Sequence, residues 1–298
     1  MQLVPEIDLP VFEWGKRTYV MGILNITADS FSGDGILQDL TGSENLSGLA
    51  LEQAHRFVAA GASLLDVGGE STRPGSVPVS ADEEAACVVP VIRALAVEFP
   101  GIPISIDTYK AVVANAAIQA GARLVNDVWG LRADPEMGAV IARYGVPVVL
   151  MHNRSKPANA AIEARLGGHY VGVQYGNLLE EVKQELMESV ALAHAAGVAD
   201  EKIILDPGIG FGKTVSQSLE LLNRLDEIRA LGYPVLLGPS RKSFIGYTLD
   251  LPPDQRVEGT AATIAVGIVR GADIVRVHDV EEMVRVARMT DAIVRTSA

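Results

Sequence analysis

The chain has 298 residues, of which 48% are hydrophobic, 21% charged and only 5% aromatic, which indicates a large globular domain with an aliphatic core. The formal net charge of −12 at pH 7 argues against a nucleic-acid surface, which needs a basic field, although a few local cations can still bind a small anionic substrate. One cysteine excludes an intrachain disulfide, and we find no signal-peptide pattern and no apolar run of membrane-spanning length, so we expect a cytoplasmic protein.

Short apolar segments alternate with helical segments along almost the whole chain. After a polar lead-in over residues 1–18, with a hairpin expected around Trp14, the apolar segments predict eight strands: 19–25, 63–67, 103–107, 123–127, 146–152, 203–206, 234–238 and 274–278. Apolar residues at helical spacing predict helices between them: 49–60, 81–99, 109–120, 135–144, 174–196, 217–231, 256–270 and 281–295. Pro90 marks a kink or boundary in the second helix. Two polar loops, 26–48 and 68–76, are of the long kind that usually carries function.

Eight strand–helix units predict an α/β fold, the (β/α)8 or TIM barrel, as a single domain over 1–298 with its active site at the C-terminal ends of the strands. A doubly wound sheet is the alternative. It is disfavoured because no G-x-G-x-x-G motif follows the first strand and because its strand ends would not converge.

Polar side chains stand at or just past the ends of the predicted strands. In a barrel they would ring one mouth: Asn25, Asp66, Asp107, Asn126, His152, Asp206, Lys242, Arg276 and His278. The carboxylates and amides suit a heterocycle with several N–H and C=O groups, whereas Lys242, Arg276 and His278, with Asn25, suit a diphosphate and a hard divalent cation. The sequence shows no Ser-His-Asp arrangement, cysteine nucleophile or zinc cluster, and transfer from an activated diphosphate needs none of these.

Structural roles compete with functional ones at several positions. Asp66 can cap a helix or form a salt bridge in the barrel, and Asp127 can cap the segment after it. His152 can hydrogen-bond within the barrel, and Lys213 can be a solvated surface charge. Tyr170 and Trp129 are expected to pack rather than to stack on a ligand.

The motifs together resemble the dihydropteroate synthase family. The matching segments occur in the family's order and span residues 19–280: 21–32, 65–75, 104–108, 125–127, 150–152, 205–214, 240–244 and 275–278. The resemblance implies the TIM barrel and a transferase reaction of folate biosynthesis, in which 4-aminobenzoate displaces diphosphate from (7,8-dihydropterin-6-yl)methyl diphosphate. The family is associated with departure of the leaving group before attack by the amine.

The resemblance also implies roles for individual residues. The implied pterin-binding residues are Asp107, Asn126, Asp206 and Lys242, and the substrate-binding residues also include Met151. The implied diphosphate-binding residues are Arg276 and His278, and Asn25 would bind Mg²⁺, the implied cofactor. The implied aminobenzoate-side residues are Thr72, Arg73, Pro74, Phe211 and Ser243. The first closing loop carries Asp29, Ser30 and Phe31, and the implied catalytic residues are Asp29, Arg73, Lys242 and Arg276.

The chain departs from the family pattern at Ala28, in the order of residues 33–35, and at Trp129, where a small residue is common. No insertion interrupts 205–214 or 240–244, so we predict ordinary sulfonamide sensitivity. The alternatives are a methyltransferase-type pterin-binding barrel and a non-catalytic pterin-binding paralogue. The small, apolar residues of 259–269 indicate a homodimer contact, which is also implied by the resemblance.

Overall fold

The computed structural model describes residues 12–26, 43–72, 76–171 and 173–295. Within these residues the strands are β1 Tyr19–Asn25, β2 Leu64–Gly68, β3 Ile104–Asp107, β4 Leu124–Asp127, β5 Val148–Met151, β6 Ala160–Glu163, β7 Gly167–Tyr170, β8 Ile203–Asp206, β9 Leu236–Leu237 and β10 Ile274–Val277. The helices are α1 Ser43–Ala60, α2 Ala81–Glu98, α3 Ala111–Ala120, α4 Met137–Tyr144, α5 Leu178–Ala195, α6 Val215–Asn223, α7 Leu225–Arg229, α8 Ser243–Leu249, α9 Val257–Val269 and α10 Val280–Val294.

Eight parallel strands form the predicted barrel. Their order is β8-β5-β4-β3-β2-β1-β10-β9, and a parallel bridge between Leu205 and Val235 brings the two ends of this sheet together. The N–H of Leu205 donates to the carbonyl of Pro234 across this seam at 2.9 Å. Helices connect the successive strands, so the TIM-barrel prediction is confirmed.

The core has two layers. Inside the barrel, buried apolar side chains from most of its strands form one cluster: Tyr19, Met21, Leu64, Leu124, Val149, Ile204, Leu236 and Ile274. Phe12 and Trp14 pack against this cluster from the N-terminal side, where both rings contact Tyr19. The second, larger layer lies between the strands and the helices. Because apolar side chains fill the N-terminal end of the barrel interior, we look for the functional polar side chains at its C-terminal end.

Several local expectations were wrong. Residues 14–16 form a turn, in which the N–H of Lys16 donates to the carbonyl of Glu13, rather than the predicted hairpin. A real hairpin, β6–β7, lies instead in the polar stretch after β5. The predicted helix 217–231 is divided into α6 and α7, and the short helix α8 was missed. Pro90 lies inside α2, which continues through it.

No helix in the described part of the chain combines the length and the apolarity needed to cross a membrane.

Candidate active site

The alternation of side chains along the strands determines which polar residues face the barrel interior. Residues two positions beyond the inward apolar layer face the barrel interior in turn, because strand side chains alternate with a period of two. These residues form the next layer toward the C-terminal mouth: Asp66, Asn126, Met151, Asp206 and Arg276. Asp107 ends β3 and pairs in register with Gly68 and Asn126. The structure therefore brings five of the nine predicted strand-end residues together in this part of the barrel.

Arg276 joins two carboxylates across the mouth. Its Nε donates to Oδ2 of Asp66 and its Nη2 to Oδ2 of Asp107, both at 2.6 Å. Burial raises the pKa of Asp107 to about 7, although the Arg276 charge opposes the shift. Burial also opposes the charge on Arg276, but Asp66 and Asp107 outweigh it and raise the guanidinium pKa above its ordinary value. Asp66 is thus a salt-bridge residue that orients Arg276, as the structural interpretation of this position anticipated.

Asp206 and Lys242 are two further charged residues of the mouth, and each influences the pKa of the other. Asp206 Oδ1 accepts the N–H of Gly208 at 2.7 Å, and burial raises the pKa of this carboxyl. Burial lowers the pKa of Lys242 to about 8, with Asp206 opposing the shift. Lys242 Nζ donates to the carbonyl of Ile209 at 2.5 Å and lies 4.5 Å from the centre of the Phe211 ring. Lys242 therefore contacts the aromatic ring of Phe211 and also interacts electrostatically with Asp206.

Lys213 does not lie on the surface, contrary to the interpretation of it as a solvated charge. Its side chain is buried, with Nζ 2.8 Å from Nδ1 of His152 and 3.0 Å from the carbonyls of both Gly208 and Phe211. Burial lowers the pKa of Lys213 well below its ordinary value and that of His152 to about 3. His152 is therefore a neutral partner of Lys213 behind the site, which confirms its interpretation as a hydrogen-bonding residue of the barrel. The sequence around Lys213 did not predict that this side chain folds inward.

Asp127 has the capping role that was expected of it. Its two oxygens accept the N–H groups of Trp129 and Leu131 at 2.8 Å each, and burial raises its pKa to about 6. Leu131 has a φ of 64°, so the carboxylate holds a strained turn after β4. Asn126 points into the barrel and Asp127 away from it. Tyr170 is buried, as its packing role requires.

The loop after β9 and the residues after β10 supply three more of the predicted residues: Lys242, Ser243 and His278. His278 Nδ1 lies 3.1 Å from Oγ of Ser240, and Lys242 and Ser243 stand at the N-terminus of α8. Arg241 has a φ of 57°, and its guanidinium pairs with Asp279. The turn that presents Lys242 is therefore held by two contacts to the residues directly after β10.

Other predicted residues lie at the rim. Asn25 ends β1 opposite Gly68, and Thr72 follows β2 in a half-buried position. Asp29, Ser30, Phe31, Arg73 and Pro74 lie outside the described residues, as do the departures at Ala28 and at 33–35. In the part of the chain that is described, no group of three or more His, Cys, Asp or Glu side chains could hold a metal ion.

Gly208 allows the closest backbone approach in the site. Its φ is +67°, and a Cβ there would lie 1.9 Å from the carbonyl oxygen of His152. We expect Gly208→Ala to destabilise the fold by at least about 2 kcal/mol, through left-handed strain plus the clash, and to reduce turnover by displacing the N–H that Asp206 accepts. Chemical denaturation and steady-state kinetics measure the two effects.

The matched control for this variant is Gly145→Ala. Gly145 has a φ of +63° and open space around its Cβ position. Its substitution should therefore introduce the backbone strain without a steric clash, and turnover should stay unchanged. Equal losses of stability and activity in both variants would contradict the close-packing argument.

Comparisons with known proteins agree with this geometry. The family model described as "Pterin binding enzyme" matches residues 21–278. The chain is 50% identical to the dihydropteroate synthase of Clostridium beijerinckii, over 95% of this chain and 97% of that protein. Among solved structures, the dihydropteroate synthase of Clostridium difficile, determined in the presence of pteroic acid, is 48% identical with a TM-score of 0.85, covering 96% of this chain and 100% of that one. The Xanthomonas albilineans enzyme with 4-aminobenzoic acid is 38% identical with a TM-score of 0.82, covering 95% of each chain.

Proposed function

The chain belongs to the pterin-binding enzyme family, among the dihydropteroate synthases, and from this membership we propose how its barrel mouth works as a transferase of folate biosynthesis. The reaction condenses (7,8-dihydropterin-6-yl)methyl diphosphate with 4-aminobenzoate to give 7,8-dihydropteroate and diphosphate. The observation that supports the proposal most strongly is the convergence of Asp107, Asp206, Lys242 and Arg276 at one mouth, in a chain half identical to a dihydropteroate synthase.

The pterin ring binds in the polar layer of the barrel. Asp206 keeps one oxygen on the N–H of Gly208 and offers the other lone pairs to the amino-pyrimidine edge. Asn126 and Asp107 complete the polar contacts, Met151 packs beside the ring, and Lys242 interacts with its carbonyl side. All of these side chains except Lys242 are carried by strands, so binding of the ring costs them little side-chain entropy.

The diphosphate binds toward Arg276 and His278. The bond between the pterin methylene carbon and the diphosphate oxygen breaks first, and its electron pair leaves with the diphosphate. Arg276 stabilises the developing negative charge through donors that its two carboxylate partners have already oriented. The aryl amine then forms the new C–N bond and loses a proton.

Mg²⁺ is the cofactor that we propose for this step. Asn25 supplies one amide oxygen at the rim, and a site with a single protein ligand fits Mg²⁺, which keeps several waters and takes further oxygens from substrate phosphates. When bound, the ion would neutralise charge on the diphosphate.

4-Aminobenzoate binds against Phe211, with Thr72 and Ser243 lining the same side. Arg73 and Pro74 follow Thr72 in the second loop, and Asp29 lies in the first; we propose that these two loops close over both substrates and exclude water. The paired Lys242 and Phe211 form the wall between the two subsites.

The direct test of this function uses isotope-labelled 4-aminobenzoate. With the pterin diphosphate and Mg²⁺ the chain should form labelled 7,8-dihydropteroate, detected by mass spectrometry, and chelation of the metal should stop the reaction. Asn25→Ala should raise the Mg²⁺ concentration for half-maximal rate at least about tenfold, since it removes the protein's ligand. A metal requirement unchanged in this variant would exclude Asn25 as the ligand.

We predict that sulfonamides inhibit the enzyme in competition with 4-aminobenzoate. They share an aryl amine with the substrate, and the segments around Phe211 and Ser243 carry no insertion that would exclude them. Inhibition kinetics at several aminobenzoate concentrations should show a rising KM at constant kcat. Full activity at sulfonamide concentrations that stop related enzymes would contradict the proposed subsite.

We further propose a cytoplasmic homodimer formed through α9 and α10. One face of α9 is buried against the barrel, but Val266 and Val269 on the other face are exposed, as are Met289 and Ile293 on the neighbouring α10. This exposed apolar surface supports the expected subunit contact.

Val269→Asp should therefore convert the dimer to a monomer in light scattering at micromolar protein concentration, because dimerisation would bury a charge. Val269 is 59% exposed, and the matched control is Val112→Asp on α3, at a residue that is 60% exposed. The control should remain dimeric. A wild-type chain that is monomeric at this concentration would refute the contact.

A further inference from the structure

The buried amino group of Lys213 is not used by the reaction described above. It lies behind the turn that joins β8 to α6, and its side chain is only 2% exposed. Three acceptors surround Nζ, namely the carbonyls of Gly208 and Phe211 and the ring nitrogen Nδ1 of His152. In its protonated form the amino group has three N–H donors, one for each of these acceptors.

The two carbonyls belong to two different parts of the proposed site. Gly208 donates its own N–H to Asp206, which lies on the floor of the pterin pocket. Phe211 forms the aromatic wall beside Lys242. The N–H of Phe211 also donates to the carbonyl of Gly208 at 3.0 Å. The hydrogen bonds of Lys213 therefore reinforce a turn that already has a backbone hydrogen bond. The amino group of Lys213 thus connects the backbone beside the proposed pterin subsite, at Gly208, to the backbone beside the proposed aminobenzoate subsite, at Phe211.

Glu185 on α5 determines the tautomer of His152, which is the third acceptor. His152 Nε2 lies 3.2 Å from Oε2 of Glu185, within ion-pair distance but off-line for a hydrogen bond. A bare lone pair on Nε2 facing this carboxylate would be repelled, so the ring proton belongs on Nε2 and Nδ1 is left to accept from Lys213. Glu185 is itself held by Arg132 and Arg154. Lys213 is therefore anchored to helix α5 through His152.

We propose that Lys213 is a positioning residue that holds Phe211 in place and so sets the affinity for the aryl amine. The inference rests on the proposed function of the site. Asp206 is also fixed by strand β8, whereas Phe211 lies inside the turn, between the end of β8 and the start of α6. Loss of the amino group should therefore disturb the aminobenzoate side more than the pterin side.

The test compares Lys213→Met, which keeps the length of the side chain but has no donor, with Lys213→Gln, which keeps two N–H donors. At a temperature where circular dichroism shows both variants folded, the KM for 4-aminobenzoate should rise at least tenfold in Lys213→Met and by a smaller factor in Lys213→Gln. The Kd of the pterin diphosphate by calorimetry should stay within threefold of wild type. If Lys213→Met does not fold, a threefold or larger rise in the Lys213→Gln variant supports the proposal, and a smaller one overturns it.

The matched control is Arg295→Met. Arg295 is another largely buried cation, which donates to the carbonyl of Ala272 at 2.8 Å at the opposite end of the barrel. Its loss should lower the melting temperature but leave both substrate constants within twofold. An unchanged aminobenzoate KM in Lys213→Met, or a pterin Kd that rises equally, would overturn the proposal. Wild-type turnover tests the proposed function separately, because the role of Lys213 is judged only from ratios of variant to wild type.

Discussion

Asp206→Asn should lose at least about 100-fold in kcat/KM for the pterin substrate. The asparagine can still accept the N–H of Gly208, but it places an amide donor where the carboxylate would accept from the amino-pyrimidine edge. Two charge-assisted hydrogen bonds at roughly 1.5–3 kcal/mol each set the size of the loss. Calorimetry with the pterin diphosphate should show the same loss in binding, since the contact is made in the ground state.

The same variant should shift the pH profile. Burial lowers the pKa of Lys242 to about 8, and the Asp206 charge is the main influence that opposes this. Without that charge the pKa of Lys242 falls further, so the alkaline limb of kcat/KM should move to lower pH. Asp226→Asn on the exposed side of α7 is the control and should leave both the rate and the profile unchanged. A profile that does not move would mean that Lys242 does not control it.

Arg276→Met should be the most damaging substitution in the ring. It removes the group that we propose binds the diphosphate, and it leaves Asp66 and Asp107 buried without their common partner. Breaking a buried ion pair from one side costs about 3–5 kcal/mol, so the free energy of unfolding at pH 8 should fall by roughly that amount. Denaturant titration measures this loss, and turnover should fall at least about 100-fold.

The pH dependence of this destabilisation has a definite sign. The pKa of Asp107 is about 7 in the folded chain, above its unfolded value, so the folded state binds the proton more tightly and stability falls as pH rises toward 7. Removal of the arginine charge raises this pKa further. The stability deficit of Arg276→Met should therefore shrink as the pH is lowered from 8 to 6. A deficit that is constant over this range would show that the buried carboxylates are not its source.

The sequence predicted the site through the strand ends. An apolar run that ends in one polar residue places that residue in the mouth of a parallel barrel, as Asp107 on β3 and Asp206 on β8 illustrate. The same reasoning predicted that Arg276 would lie at the mouth. It did not identify both carboxylates that hold Arg276, because the partners lie 169 and 210 residues away in sequence.

Residues outside the strands were predicted less well. A lysine after a glycine-rich turn is usually solvated, and Lys213 is buried only because His152 and two carbonyls happen to surround its amino group. The hairpin β6–β7 and the helix α8 were missed because both depend on tertiary contacts: Arg256, which is buried, donates to the carbonyl of Leu166 in the hairpin and packs over Gly246 of α8. Such long-range contacts leave no periodic pattern in the sequence.

The most direct test of the account is diphosphate release from (7,8-dihydropterin-6-yl)methyl diphosphate with Mg²⁺, measured with and without 4-aminobenzoate. We predict release that increases with 4-aminobenzoate and is accompanied by an equal amount of 7,8-dihydropteroate. Pterin binding in calorimetry without any release of diphosphate would contradict the account, because it would mean a barrel that holds the pterin but does not transfer it.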